Sequence, residues 1–195
     1  MLIKITVEGI TPLILDRFHE GLLNNGPKST NSGDELSPQD QCEQKLYLDD
    51  KKKMVLPADN LLKAIIDAGV FIKVGRRQLS TRDTTIVTSF LSITENFLDL
   101  KSKEGWRVDA RGIVNQATKG RHICYRPILD DWNFTFTIDL DEKECQVKTA
   151  RELIDRAGRA IGIGVMRPSR KGRYGQFKVV HWQELAQEPK AKKAA

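Results

Sequence analysis

The sequence predicts an α+β fold, an antiparallel sheet with two helices on one face, and three observations carry that expectation. Residues 132–140 alternate, with Trp132, Phe134, Phe136, Ile138 and Leu140 on one side of an extended chain. Two segments repeat apolar residues at helical spacing: Leu61, Leu62, Ile65 and Ile66, then Leu153, Ile154, Ala157, Ala160 and Ile161. Short β-prone runs at residues 2–8 and 176–182 stand near the two ends of the chain. With a further β-prone run at residues 106–114, the order is strand, helix, strand, strand, helix, strand. That βαββαβ order is ferredoxin-like, or RRM-like.

Leu2, Ile3, Ile5 and Val7 define the first strand, and Thr11-Pro-Leu13 leads the chain away from it. Residues 19–45 are rich in Asn, Ser, Gly, Pro and acid without periodicity, which predicts a mobile insertion. Residues 45–48 and 54–56 read as arms of a short hairpin around a charged turn. A helix is expected over residues 58–68, with Pro57 and Asp59 in its first turn and Gly69 as its stop. Residues 86–93 fit a strand or a short helix. Two cationic β-prone arms around the turn at residues 115–120 predict a projecting hairpin over about residues 107–126. Thr149-Ala-Arg-Glu152 has the spacing of a capping box, which starts a second helix running to residue 161. One domain is expected over residues 1–185, followed by a flexible tail at 186–195.

The chain has 195 residues with 39% apolar and 30% charged, enough to bury a core. Its net charge is +6, and its pI near 9.2 points to polyanionic partners. The excess is local. Residues 156–178 hold Arg156, Arg159, Arg167, Arg170, Lys171, Arg173 and Lys178 with no Asp or Glu, so the rest of the chain carries about −1. Cys42, Cys124 and Cys145 are too widely spaced for a zinc pattern and read as reduced thiols. No apolar run reaches the roughly 18 residues of a membrane span, so a cytoplasmic protein with no membrane partner and no cofactor is expected.

Within the basic window lies Gly162-Ile-Gly-Val-Met-Arg-Pro-Ser-Arg-Lys-Gly-Arg-Tyr-Gly175, between the second helix and the last strand. Glycines such as Gly162 and Gly164 let backbone N–H groups approach an anion, and arginine forks match phosphate oxygens. Arg167, Arg170, Lys171 and Arg173 are expected to bind phosphates, with Tyr174 stacking on a base or sugar. The polar loop at residues 75–85, with Arg76, Arg77, Arg82 and four hydroxyls, is a second candidate. Arg107, Arg111, Lys119, Arg121 and Arg126 on the hairpin form a third. For each cluster the alternative is a solvated basic surface.

The glycine loop, the Thr-Pro-Leu segment after the first strand and the central hairpin together resemble the RAMP superfamily of CRISPR-associated proteins. Within it, the chain is most similar to the repeated backbone subunit that lines guide RNA in multisubunit effector complexes. The resemblance implies single-stranded guide RNA as ligand, side-by-side self-association into a filament, other effector subunits as partners, and a thumb over residues 108–126. Some relatives cut target RNA with an aspartate in the loop after the first strand, where Asp16, Asp34 and Asp40 stand here without a recognisable motif. His19, His122 and His181 form no triad or ligand pair. The expectation is a non-enzymatic RNA-binding protein. A metal-dependent RNA endonuclease using a loop aspartate and a phage single-stranded DNA-binding or annealing protein are the alternatives.

Overall fold

The computed structural model describes residues 1–18, 36–114 and 119–185. The strands are β1 Leu2–Gly9, β2 Leu13–Ile14, β3 Val55–Pro57, β4 Lys73–Val74, β5 Arg77–Gln78, β6 Leu91–Ile93, β7 Phe97–Asp99, β8 Arg107–Val114, β9 Arg121–Leu129, β10 Asn133–Leu140 and β11 Phe177–Leu185. The helices are α1 Pro38–Glu43, α2 Ala58–Ala68, α3 Val87–Phe90 and α4 Val147–Arg156.

A four-stranded sheet in the order β11-β1-β10-β6 forms the centre, with antiparallel neighbours throughout. One face is apolar because β1 and β10 alternate in step. Ile3, Ile5 and Val7 lie beside Ile138, Phe136 and Phe134, all fully buried. Burying each such side chain contributes about 1.5–3 kcal/mol. Leu61, Ala64 and Ile65 of α2 and Ala150, Leu153 and Ile154 of α4 join the same core. The other face is polar; there the Thr6 and Thr135 hydroxyls meet at 3.0 Å. A second sheet, β2-β9-β8, stands beside the first and carries the β8–β9 hairpin.

Several expectations are corrected. Residues 106–114 are not a core strand: β8 pairs only with β9, and the place beside β10 is taken by the three residues of β6. Residues 86–93 are helix and strand in succession, α3 then β6. Gly69 follows the last residue of α2, as expected, and the chain runs on into a 3-10 turn, Gly69–Phe71; the glycine accommodates Ser80, whose Oγ would lie 2.5 Å from an added Cβ. Of the insertion expected at 19–45, residues 19–35 lie outside the described residues, whereas 36–45 are structured. Ser37 caps α1 by accepting from the Asp40 N–H at 3.1 Å, and Cys42 is fully buried. The expected tail at 186–195 and the hairpin turn at 115–118 also lie outside the described residues.

The capping box is not formed. α4 begins two residues earlier, with Gln146 as its first flanking residue and no side-chain cap. Thr149→Ala should therefore change stability by less than about 0.5 kcal/mol, against about 1 kcal/mol for loss of a true cap. A urea titration of both proteins decides it, and a loss of a full cap's worth would contradict the observed helix start. α4 continues through a π-helical turn, Ala157–Ile161, and ends at Gly162, whose φ of +72° and N–H bond to the Ala157 carbonyl close it. Among the described residues no helix is long and apolar enough to cross a membrane.

Candidate nucleic-acid interface

Three stretches distant in sequence meet where the glycine loop leaves α4. Trp132 starts the arrangement. Its ring packs on Gly9, where a Cβ would lie 2.3 Å from Nε1, and its Nε1–H donates to the Thr11 carbonyl at 2.8 Å. Thr11 to Ile14 then anchor the loop. The Gly175 N–H donates to Pro12 O at 2.8 Å, the Gln176 N–H to Thr11 Oγ1 at 3.0 Å and the Val165 N–H to Ile14 O at 3.0 Å. The loop also ties to itself, through Ile163 N–H to Gly175 O at 2.9 Å, Tyr174 N–H to Met166 O at 3.1 Å and Gly172 N–H to Arg167 O at 3.0 Å.

These approaches are what the glycines permit. A Cβ on Gly172 would lie 1.7 Å from the Met166 carbonyl oxygen, and one on Gly175 1.9 Å from that of Ile163. A Cβ on Gly164 would lie 2.5 Å from the Ile14 carbonyl oxygen. The N–H groups of Ile163, Val165, Gly172, Tyr174 and Gly175 are spent inside the protein, so they are not the anion cradle that the glycine spacing suggested. The cationic side chains of the loop are Arg167, Arg170, Lys171 and Arg173.

Those side chains divide. Arg167 turns inward, donating from Nη1 to the Gly164 carbonyl at 2.9 Å and from Nε to Ser169 Oγ at 3.0 Å. It lines a hollow of about 140 Å³ with Asp16, Tyr47, Asn60 and Lys63, and acts as the loop's clasp. Arg170, Lys171 and Arg173 are exposed. Arg173 faces a notch of about 390 Å³ between the loop and the root of the β8–β9 hairpin, lined also by Thr11, Pro12, Arg107, Asp109, Arg111, Ile128 and Tyr174.

Tyr174 is the centre of the notch. The Arg111 guanidinium lies 4.7 Å from its ring centroid and that of Arg173 5.5 Å, cation–π contacts worth about 0.5–1 kcal/mol each at an exposed site. Arg111 Nη2–H donates to the Tyr174 hydroxyl at 2.7 Å. Hydrogen bonds from Arg111 and then Arg173 hold that hydroxyl below the ordinary tyrosine pKa. In this structure the ring expected to stack on a base is stacked by arginines.

Two of the notch arginines carry their own carboxylates. Arg111 chelates Asp109, Nε to Oδ2 at 2.6 Å and Nη2 to Oδ1 at 3.0 Å, and Arg107 chelates Asp130, with Nη2 to Oδ1 at 2.8 Å. The bonds to Asp109 first, and to Tyr174 second, raise the Arg111 pKa above its ordinary value. These acids were missed in the sequence. One signal was available, because Asp109 and Arg111 are two apart on a strand and share a face.

The remaining candidates lie elsewhere. Arg126 donates from Nε to Asp16 Oδ2 at 2.7 Å, and Lys45 Nζ approaches Asp16 Oδ1 at 3.7 Å while donating to the Tyr125 carbonyl at 2.6 Å. Arg121 pairs with Val114 at the far end of the hairpin from the notch, and Lys119 is close to it in the chain. Arg76, Arg77 and Arg82 are exposed beyond the C-terminal end of α2, whereas the glycine loop meets that helix near Asn60 and Lys63. The hydroxyls of the 75–85 loop are engaged locally, Ser80 with Thr85 at 2.8 Å and Thr81 with Thr84 at 2.9 Å.

Of the loop acids, Asp16 is the ion-pair partner just described, Asp34 lies outside the described residues, and Asp40 accepts from the Ser37 hydroxyl at 2.7 Å in the cap of α1. His181 is exposed on β11 opposite Thr6, and His19 lies outside the described residues. Among the described residues no group of three or more His, Cys, Asp or Glu gathers in a way that could hold a metal ion.

The architecture defines the class first, and that class is one of fold: an antiparallel α+β chain with a two-stranded hairpin carried on a second sheet beside the central one. One solved structure that shares it is a chain of a type III-B Cmr-beta complex bound to cognate target RNA, at TM-score 0.55 and 12% identity over 93% of this chain. The chain spans 59% of the length of that neighbour. Cmr6 from Pyrococcus furiosus is also matched, at TM-score 0.36 and 10% identity, over 91% of this chain and 97% of that one. At such identities the likeness is one of fold. No protein-family model and no curated protein matches the sequence.

Proposed function

We propose that this chain is a single-stranded RNA-binding subunit of a CRISPR-type (RAMP) ribonucleoprotein. The strand order β11-β1-β10-β6, with α2 and α4 against one face, reads as a ferredoxin-like core. The observation that carries the functional reading is the junction of the glycine loop and the hairpin root. Exposed Arg170, Lys171 and Arg173 stand beside a notch whose size suits a nucleotide and whose walls combine Arg111 and Tyr174 with apolar Pro12 and Ile128. Cations that hold phosphates beside apolar and aromatic walls that take bases are the usual means of gripping a single strand. The fold neighbour bound to target RNA supports the same ligand class. Guide RNA, assembly of copies along the strand and contact with other effector subunits complete the proposal.

The role is binding rather than cleavage. Asp16, the first aspartate after β1, is engaged by Arg126 and Lys45, which would compete with a metal ion for its oxygens. Filter binding with a Arg170→Ala/Lys171→Ala/Arg173→Ala variant tests the proposal. All three side chains are exposed, and Arg167 is left in place because it clasps the loop. Affinity for single-stranded RNA should fall at least tenfold at moderate salt, about 1.4 kcal/mol or more. Unchanged affinity in the variant would overturn the reading.

A further inference from the structure

We infer that the β4–β5 hairpin and the turn before it form a second, separate contact for the same RNA strand, in which Phe71 stacks on a base and Lys73, Arg76 and Arg77 hold the flanking phosphates. This rests on the RNA-binding reading and adds a site beyond the C-terminal end of α2, apart from the residues that line the notch. Residues 68–82 carry Lys73, Arg76, Arg77 and Arg82 with no acid between Asp67 and Asp83. In the same short segment Phe71 is 55% exposed and Val74 53%. A large aromatic ring left open among cations is costly in water and matches the stacking-plus-phosphate chemistry of a single strand. Charge favours a polyanion over an apolar protein partner.

The segment is built rigidly. Gly69–Phe71 forms a 3-10 turn, β4 and β5 close through Lys73↔Gln78 and Val74↔Arg77, and Gly75 makes the tight turn with φ of +63°. The Gln78 side-chain amide donates to the Val70 carbonyl at 2.9 Å, and the Leu79 N–H donates to Ile72 O at 3.1 Å, which binds β5 back against the turn that bears Phe71. Ile72 and Leu79 are buried beneath it. An aromatic residue on such a preorganised turn loses little entropy when it stacks. No residue of this segment lines the notch, so the two contacts are separate.

The test is fluorescence anisotropy with two oligouridylate RNAs, one of about five nucleotides that fills a single site and one of about twenty that can span both. Phe71→Ala should weaken binding of the long RNA at least about fivefold and leave the short RNA, taken by the tighter notch, unchanged. Phe71→Trp should restore the long-RNA affinity, whereas Phe71→Leu, which keeps the apolar surface without the aromatic face, should not. Arg76→Ala/Arg77→Ala should reproduce the length-dependent loss. Wild-type affinity for the long RNA in Phe71→Ala would overturn the inference while leaving the notch intact. So would rescue by leucine, or a change in sedimentation coefficient without a change in RNA affinity, either of which makes the patch a protein contact. If instead the loop variant binds both RNAs normally and Phe71→Ala does not, the notch reading fails and the hairpin site stands.

Discussion

Gly175→Ala should remove about 2–5 kcal/mol of folding stability, a large share of the 5–15 kcal/mol typical of a domain. Two effects add. The residue holds φ at +67°, where an L side chain costs roughly 1–2 kcal/mol. Its Cβ would also lie 1.9 Å from the Ile163 carbonyl oxygen, a backbone atom that can yield only by moving the loop. Such forced shifts cost about 1–3 kcal/mol. The movement would strain two hydrogen bonds at once, Gly175 N–H to Pro12 O and Ile163 N–H to Gly175 O, and so detach the loop from the segment that positions the notch. Gly112→Ala is the control, because nothing lies within 4 Å of its would-be Cβ. Urea unfolding of the two variants beside wild type measures the difference. Equal stability would mean that the glycines serve turns alone.

Asp16→Ala should cost about 2–4 kcal/mol. Arg126 and Lys45, with side chains 15% and 11% exposed, would keep their charges and lose their carboxylate. Removing one partner of a buried pair typically costs about 3–5 kcal/mol, and the quarter exposure of Asp16 reduces that. Asp16→Asn preserves shape and one acceptor oxygen and should recover part of the loss. The pair of variants bears on the nuclease alternative as well. Activity lost in Asp16→Ala alone would reflect a loosened hairpin root, since Arg126 and the Tyr125 carbonyl that holds Lys45 belong to β9. A thermal melt in which Asp16→Ala matches wild type would contradict the structural role.

What was legible in the sequence was whatever depends on local periodicity. β1 and β10 alternate over eight residues each, and α2 begins and ends at the expected residues. The misplaced elements are those decided by distant partners. A three-residue strand such as β6 has no readable period, and it gains its place only by pairing with Leu140, Asp139 and Ile138. β8 is equally β-prone, and nothing local tells a hairpin arm from a core strand. The short helix α1 did leave a signal, Ser37 with a proline after it and Asp40 three residues on, which the surrounding polar composition obscured.

The candidate site divides along the same line. The glycine loop stood out by composition and order, but composition suggested a backbone anion cradle. The hydrogen bonds to Pro12 and Ile14, more than 150 positions away in the chain, give the N–H groups of Gly175 and Val165 another use. The cations of the hairpin were visible while their acids were not. Asp130 and Asp16 meet Arg107 and Arg126 only once β9 has returned along β8 and β2.

The central claim is that exposed cations of the loop hold RNA phosphates at the notch. The salt dependence of single-stranded RNA binding tests it most directly, because each phosphate contact adds about 0.7 to the slope of log affinity against log salt. Replacing Arg170, Lys171 and Arg173 together should lower that slope by about 1.4–2.1 relative to wild type. An unchanged slope would contradict the account, whatever happened to the affinity itself.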